Sequence, residues 1–521
     1  MKNRMTMSSI MMTGGGATEE HASNSSSNDI ELSSLPGGCN DGGIGNGNGI
    51  NGINNSINNN NNNNDALEGV ALMDSNNSSN NSNSNNNNNN NEMDKNGENH
   101  HDHDNNNNSN SNNSNSSTDH LSSNTQVAFN IIISFVGAGL LGMPYAFRQS
   151  GWMLGSIALS IVSAANVYSM LNLVVVRQRL QEEGHKDLIG YGDVGRVVMG
   201  TRGETVVNAC LVISQLGFAT AYIIFIVANV ASLHPEIPSV AVCFGCIPIL
   251  SVLVQAKEMK TLSPFSLLAD VANLAGLSAV LFQDYEHYQH NDDIHTFEWK
   301  NLYYVIAISV YSLEGVGLIL PLESSCQNRN SFPSLLKSVI FGITILCCLF
   351  GTAGYLAFGD QTMAPITLNL SHAGGEFVKI ALALALYFTY PIMMFPIHSV
   401  LEGRLSSTTT SGPNARRMLG MPTPVIIRTL LVVLTAIIAY VIPDFGKFLS
   451  LVGSSICTLL GFVFPCYFHL ATFDLEELPW WQSLLDILLI IGGVVFGIIG
   501  TFHSFIDLFD TDDNDGGGGG D

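Results

Sequence analysis

Charge is scarce in this 521-residue chain: Asp, Glu, Lys and Arg make up 12% of it, about half the share of an ordinary soluble domain. Basic residues are the scarcer kind, 20 Lys and Arg against 43 Asp and Glu, and the net charge of −23 excludes a surface built for nucleic acid. The first 124 residues lack any apolar run longer than Val70-Ala71-Leu72-Met73, and they hold 3 basic and 14 acidic residues. Asn tracts such as 58–64 and 85–91 cannot bury enough surface to offset the entropy of ordering. Residues 1–124 are therefore expected to be a disordered, low-complexity cytoplasmic tail, in which His100, His101 and His103 are solvated polar residues rather than a metal site. Met1 to Met12 has no apolar stretch of signal-peptide length. A Gly-Lys-Ser/Thr phosphate loop is missing, which argues against a primary pump. So is a nucleophile–base arrangement or a metalloprotease helix. No enzyme, metal or organic cofactor is expected.

The apolar residues are concentrated between 125 and 506, in blocks near 125–147, 153–176, 205–230, 238–256, 264–283, 301–321, 335–357, 376–397, 424–442, 448–471 and 484–506. Each is long enough for a helix to cross a hydrocarbon core of about 30 Å. Uniform hydrophobicity, without the alternation of barrel strands, selects helices. The expectation is an all-α membrane protein of 11 transmembrane helices over 125–506, followed by an acidic, Gly-rich tail at 507–521. Eight of the nine cysteines fall in or beside these blocks and act as small apolar residues, the Cys243-Phe-Gly-Cys246 pair included.

Lysine and arginine placement orients the chain. With the N-terminus cytoplasmic, inward segments carry thirteen basic residues, from Arg177 to Arg428, and outward segments carry Arg148, Lys300, Lys379 and Lys447. Outward segments collect acid instead, from Glu236 through Asp292 and Asp293 to the Asp-rich end, which leaves the C-terminus lumenal or extracellular. The sequon Asn369-Leu370-Ser371 falls on the same outward side, so Asn369 is a glycosylation candidate.

Two blocks carry a matching interruption. The first contains Gly137-Ala138-Gly139 with Pro144 beyond it; the sixth contains Gly315-Val316-Gly317 with Pro321 beyond it. Corresponding breaks five spans apart point to an inverted 5+5 repeat with a ligand site near the midplane. Unwound backbone is tolerated there only if something satisfies its N–H and C=O groups. A half-helix starting near Leu140 aims its positive end at the break and suits a carboxylate. The carbonyls near Ser312 and Leu313 suit an ammonium or a cation. One molecule carrying both groups is an α-amino acid, so Gly137, Ala138, Gly139, Ser312, Leu313 and Gly315 are the candidate substrate contacts. The alternative is that the glycines are small-residue contacts between helices. Gly142 is placed inside the second half-helix.

The run Ser134-Phe-Val-Gly-Ala-Gly-Leu-Leu-Gly-Met-Pro-Tyr-Ala-Phe-Arg-Gln-Ser-Gly151 resembles the opening helix of the amino acid/auxin permease family. Ser312-Leu-Glu-Gly-Val-Gly-Leu-Ile-Leu-Pro-Leu-Glu323 resembles its sixth helix. Tyr355-Leu-Ala-Phe-Gly-Asp-Gln and Ile366-Thr-Leu-Asn-Leu370 resemble the loop after its seventh. The resemblance covers about residues 125–506 and is nearest to the vacuolar and proton-coupled branch. It implies the leucine-transporter fold with one extra helix, amino acid substrates, and H+ or Na+ as coupling ion. Secondary active transport by alternating access, in a vacuolar or lysosomal membrane, is the function it implies. The alternatives are a plasma-membrane location and an amino-acid-sensing receptor whose tail recruits partners of unknown kind.

Ionisable residues inside spans are functional candidates because each is costly in lipid. Glu314, at the second break, can take a proton, pair with the substrate ammonium, or cap free backbone donors. Asp270, beside Asn273, is either a buried hydrogen-bonding residue or a cation ligand. Thr389 faces the first helix if the leucine-transporter resemblance holds. Asn130 stands where some proton-coupled relatives carry histidine. Asp486, His398 and His469 are placed at the membrane interface, and His287, His290 and His295 in a solvated outward loop.

Topology gives a direct test. Cysteines introduced at 369 and 416 should label from opposite sides of a sealed membrane, 416 from the cytoplasm. Labelling from one side would mean a wrong span count between them.

Overall fold

The structure is a computed structural model, and it describes residues 123–186, 188–255, 275–282, 294–370, 373–408, 417–418, 421–474 and 476–509. The low-complexity tail, Asp270, Asn273, His287, His290, Ser371, Arg416 and the acidic C-terminal run lie outside the described residues.

The first span opens with a capping box. Ser123 accepts from the N–H of Gln126, whose side chain returns to the Ser123 N–H at 2.9 Å. Helix α1 (Asn124–Phe135) then stops, and α2 (Ala138–Ser150) resumes with a 55° bend. After Gly151 come α3 (Trp152–Glu182), α4 (Tyr191–Leu233, kinked at Gly200), α5 (Ser239–Leu253) and a helical stretch over 275–282, here α6. The sixth span is split into α7 (Leu302–Ser312) and α8 (Val316–Ser325). Then follow α9 (Phe332–Phe358), α10 (Ala373–Thr408), α11 (Thr423–Val441), α12 (Phe445–Thr472) and α13 (Trp480–Phe509). A two-residue ribbon, Arg417–Met418 with Met421–Pro422, precedes α11.

Eight of the described helices are long and apolar enough to cross a membrane, nine when the bent α1–α2 pair counts as one span. The fourth expected span is the shorter apolar α5, and the fifth falls largely on residues 256–274, outside the described set. Loops expected from charge are partly helical: α3 continues to Glu182, and Arg196 and Arg202 sit within α4.

The helices sort into two packed groups. One contains α1, α2, α3, α7, α8 and α9; the other contains α4, α5, α10 and α11. Helix α12 packs against α3 and α7, with α13 outside it. The broken α7–α8 span is 78% buried over its apolar window and α13 only 17%, so the interrupted backbone lies inside and α13 meets lipid.

Glycines let the first group close up. A Cβ on Gly354 would stand 2.7 Å from the Pro144 ring, and one on Gly351 3.0 Å from Phe147. Gly151 combines a positive φ of 78° with close approach: an added Cβ would lie 2.6 Å from the Thr296 carbonyl oxygen. That contact docks the segment before α7 onto the α2–α3 turn. Trp152 N–H donates to His295 at 3.3 Å, Glu298 N–H to Ser150 at 2.8 Å, and the His295 N–H reaches the Tyr355 hydroxyl at 3.0 Å.

Three basic residues counted as surface charges are buried, Arg428 among them, its guanidinium donating to the Val254 carbonyl at 3.1 Å. Arg177 pairs with Glu323 inside the first group and donates to the Leu320 carbonyl at 2.9 Å and the Ser324 hydroxyl at 2.6 Å. Lys379 donates to the Ser232 hydroxyl at 2.8 Å. Arg177 stands one residue past its apolar block, where α3 runs on to Glu182 and carries it against α8, whereas Lys379 lies inside its block and is held by the Ser232 hydroxyl of α4.

Gly151→Ala should cost about 2–4 kcal/mol, since backbone strain and overlap with Thr296 add. Gly184→Ala, also at positive φ but with open space around it, should cost about 1 kcal/mol. Thermal unfolding of the purified protein in detergent separates them; equal losses would remove the docking contact from the account.

Candidate functional site

The two breaks face each other. At the first, Val136 and Gly137 are extended between α1 and α2, with Gly137 at φ −138° and ψ −154°. At the second, Leu313, Glu314 and Gly315 separate α7 from α8. Gly139, the second residue of α2, packs on the α7 backbone: an added Cβ would lie 2.8 Å from the Cα of Ser312. Gly315 lies under the Phe135 ring, 2.7 Å from Cε2 to an added Cβ. The candidate residues Gly137, Ala138, Gly139, Ser312, Leu313 and Gly315 are thus collected in one place by the fold.

The reasons for glycine differ from those the breaks suggest. Neither Gly137 nor Gly315 has a φ closed to other residues, and a Cβ on Gly137 would find only the Tyr222 hydroxyl at 3.7 Å. Close approach, not unwound geometry, requires glycine, and it does so at 139 and 315. Gly142, inside α2 as expected, is closely packed too: an added Cβ would meet Leu449 at 3.0 Å.

The second break has a polar answer. Asn166 of α3, 3% exposed, donates its side-chain amide to the Leu313 carbonyl at the end of α7. Sequence reading passed over Asn166, since a single Asn in an apolar helix has no marker until the carbonyl it meets is known. The Glu314 carboxyl stands beside the N–H of Val316, the first residue of α8. Its Oε1 is buried without a hydrogen-bond partner among the described residues. Asn166 Oδ1, Tyr311 Oη and Ser309 Oγ share that condition. Glu314 also lies within electrostatic reach of Tyr191, Tyr311 and Cys457. Around the second break, then, are several shielded polar atoms with no bond to any described residue, and a ligand or water would satisfy them.

The other candidates are less exposed to the breaks. Ser312 turns its hydroxyl back to Ile308 at 2.8 Å, and Thr389 does the same to Ala385 at 2.8 Å. Asn130 is half-buried in α1, its carbonyl accepting from Ser134 at 2.6 Å. Asn369 has its amide engaged at both ends: Nδ2 donates to Gln361 at 2.7 Å and Oδ1 accepts from Met363 at 2.7 Å. A sugar on Asn369 would take a hydrogen of that same nitrogen. Cys243 and Cys246 are both buried in α5, and no metal-holding cluster occurs among the described residues.

Three residues assigned to the membrane interface are buried instead. Asp486 has no exposed surface, and His398 and His469 are 4% exposed. They stand near helix ends in sequence, but neighbouring helices cover those ends.

Residues 120–506 match the family described as transmembrane amino acid transporter protein. Amino acid transporter AVT3B of Arabidopsis thaliana is 35% identical over 408 residues, 75% of this chain and 94% of the relative. Vacuolar amino acid transporter 3 of Saccharomyces cerevisiae is 27% identical over 390 residues, 72% of this chain and 55% of the relative. Among solved structures, a manganese transporter of Eremococcus coleocola aligns at a TM-score of 0.43 and 11% identity, covering 74% of this chain and 87% of that one.

Asn166→Leu should leave the Leu313 carbonyl unpaired and lower stability by about 1–3 kcal/mol. Gly139→Ala should disturb the α2–α7 contact where Gly137→Ala does not. Thermal unfolding of the three purified variants reads both contrasts, and a stable Gly139→Ala protein would contradict the packing argument.

Proposed function

Because the chain belongs to the transmembrane amino acid transporter family, we propose that it moves amino acids by secondary active transport, with substrate held between the two breaks. It is a multi-pass membrane transporter and not an enzyme. The finer reading is eleven spans as an inverted 5+5 repeat plus one helix, working by alternating access. The observation that carries it is the set of shielded, unpartnered polar atoms at the second break, directly across from the start of α2.

The chemistry follows from the ends of the half-helices. Leu140 N–H bonds the Gly137 carbonyl at 3.2 Å, and the N–H groups of Ala138 and Gly139 before it have no intrahelical acceptor and suit the substrate carboxylate. Glu314 Oε1, Asn166 Oδ1 and the hydroxyls of Ser309 and Tyr311 supply acceptors for an ammonium group. Binding there would replace missing backbone bonds, so one state of the breaks is stabilised by substrate over the other. Movement of the group holding α1, α2, α3, α7, α8 and α9 against the group holding α4, α5, α10 and α11 then opens the site to alternate sides.

Coupling to H+ rather than Na+ is the reading we adopt, with Glu314 as the group at the site able to take a proton. Asp270, Thr389 and Asn130 are the remaining candidates. The membrane of an acidic organelle is favoured by the vacuolar relative and by the acid collected on outward segments. The N-terminus is placed in the cytoplasm.

Uptake of a panel of radiolabelled amino acids into proteoliposomes, with proton and sodium gradients imposed separately, tests the reading. Accumulation against a concentration gradient is expected when the proton gradient alone is imposed. Binding without net flux would instead identify a receptor. Glu314→Gln should lose gradient-driven accumulation, about ten-fold or more, yet exchange labelled for unlabelled substrate. Retained pH-driven accumulation in that variant would confine Glu314 to capping.

A further inference from the structure

Away from the breaks, three helices converge on one carboxylate. Asp486 of α13 accepts the Tyr168 hydroxyl and the Asn172 side-chain amide, both from α3, at 2.9 Å each through Oδ1. Its Oδ2 lies 2.7 Å from Nδ1 of His469 on α12. Asp486 is completely buried, and the His469 side chain keeps 5% of its surface exposed. The carboxylate and imidazole are therefore an ionisable pair inside the protein, reachable by a proton only through the ring.

The surroundings are otherwise neutral except for one cation, Arg179, held between two carboxylates. Helix α12 contributes the Cys466 thiol, 3.6 Å from the Ser169 hydroxyl of α3. The Gln482 carbonyl of α13 lies 3.4 Å from the Tyr168 hydroxyl. From α4 comes Tyr191, which donates to the Leu460 carbonyl at 3.0 Å. The Phe473 ring sits 5.2 Å from His469 and carries the Arg179 guanidinium 5.6 Å from its centroid. Arg179 is itself matched to Glu183 and Glu477 at 3.3 Å each. No unmatched cation is described near Asp486.

That arrangement sets the charge balance. A neutral imidazole beside Asp486 leaves one negative charge buried among neutral groups. An imidazolium beside it leaves none, and a buried pair of opposite charges with its lone pairs filled is far cheaper than a lone buried ion. The two donors from α3 fill the remaining oxygen, and α3 packs with the broken helices, while His469 and Asp486 belong to α12 and α13. Any displacement of α3 against α12 and α13 strips both donors from Oδ1 at once.

We propose that His469 and Asp486 form a second proton-holding site of the transporter, linked to the position of α3 through Tyr168 and Asn172. The proposal rests on the transport reading above, but the proton site can be measured without transport. One proton binds at the imidazole and none is transferred to substrate. Holding the proton and holding α3 in place favour each other, as linkage requires.

Infrared difference spectra of the full-length protein in phosphatidylcholine–phosphatidylglycerol vesicles, perfused between about pH 5 and pH 8, examine the imidazole range directly. A shielded imidazole signal should appear, be lost in His469→Gln, and be altered in Asp486→Asn. Superposable spectra from wild type and His469→Gln would overturn the proposal, whether or not the protein carries amino acids. In flux assays, His469→Gln should reduce accumulation driven by the proton gradient about ten-fold while keeping counterflow within about two-fold. Unchanged gradient-driven accumulation would equally overturn it. Tyr168→Phe keeps the packing and removes one donor, so it covers the case in which His469→Gln fails to fold. It should displace the midpoint of the pH–flux profile, and an unmoved midpoint would count against the link to α3.

Discussion

Inside a hydrocarbon layer a backbone N–H or C=O has no water to turn to, and the rest of this structure depends on how that demand is met where two helices stop. A continuous helix meets it internally, but α1–α2 and α7–α8 each give up bonds at their interruptions. At the second of these Asn166 donates to the Leu313 carbonyl, and the Glu314 carboxyl stands beside the Val316 N–H. These groups serve only if the two broken spans stay deep in the protein, and the close seat of Gly139 on Ser312 keeps them there. Arg177 and Glu323 extend the same economy to the far end of α8, where a buried cation reaches the Leu320 carbonyl.

Much of this was legible from the chain because apolar length and interrupted glycines are local properties. The breaks at Gly137 and Gly315 fall where the sequence puts them, and the substrate candidates are brought together. What was not legible involves partners far apart in the chain. Asn166 meets a carbonyl 147 residues away, and Tyr168 meets Asp486 at a separation of 318. Nothing in the neighbourhood of Asp486 in sequence says that α3 and α12 will cover it, so a residue two turns from a helix end looked like one at the interface. The glycines were found for a partly mistaken reason: the space at 139 and 315, rather than the backbone angles at 137, excludes a side chain.

Charge as an orientation signal is affected in the same way. Arg177 and Lys379 count on opposite sides of the positive-inside comparison, yet both are buried and bonded. Removing them together with the buried Arg428 takes two residues from the inward tally and one from the outward, and leaves the imbalance standing. Their presence shows that a long helix can carry a basic residue inward when a partner waits, which composition alone does not reveal.

Helix α12 has a property of a different kind. Gly453–Cys457 and Leu459–Val463 are wound with wide, π-type turns, and the Gly453 carbonyl accepts the Thr458 hydroxyl five residues on at 2.8 Å. Each such turn absorbs an additional residue, so everything beyond it is rotated by about 100° relative to an unbroken α-helix of the same composition. The face that carries Cys466 and His469 toward α3 and α13 is therefore set by the number of residues in the preceding two turns. Losing one residue there would leave the span equally apolar and nearly as long, but would point the imidazole elsewhere. In this span the phase of the chain, and not its hydrophobicity, decides what is brought inside.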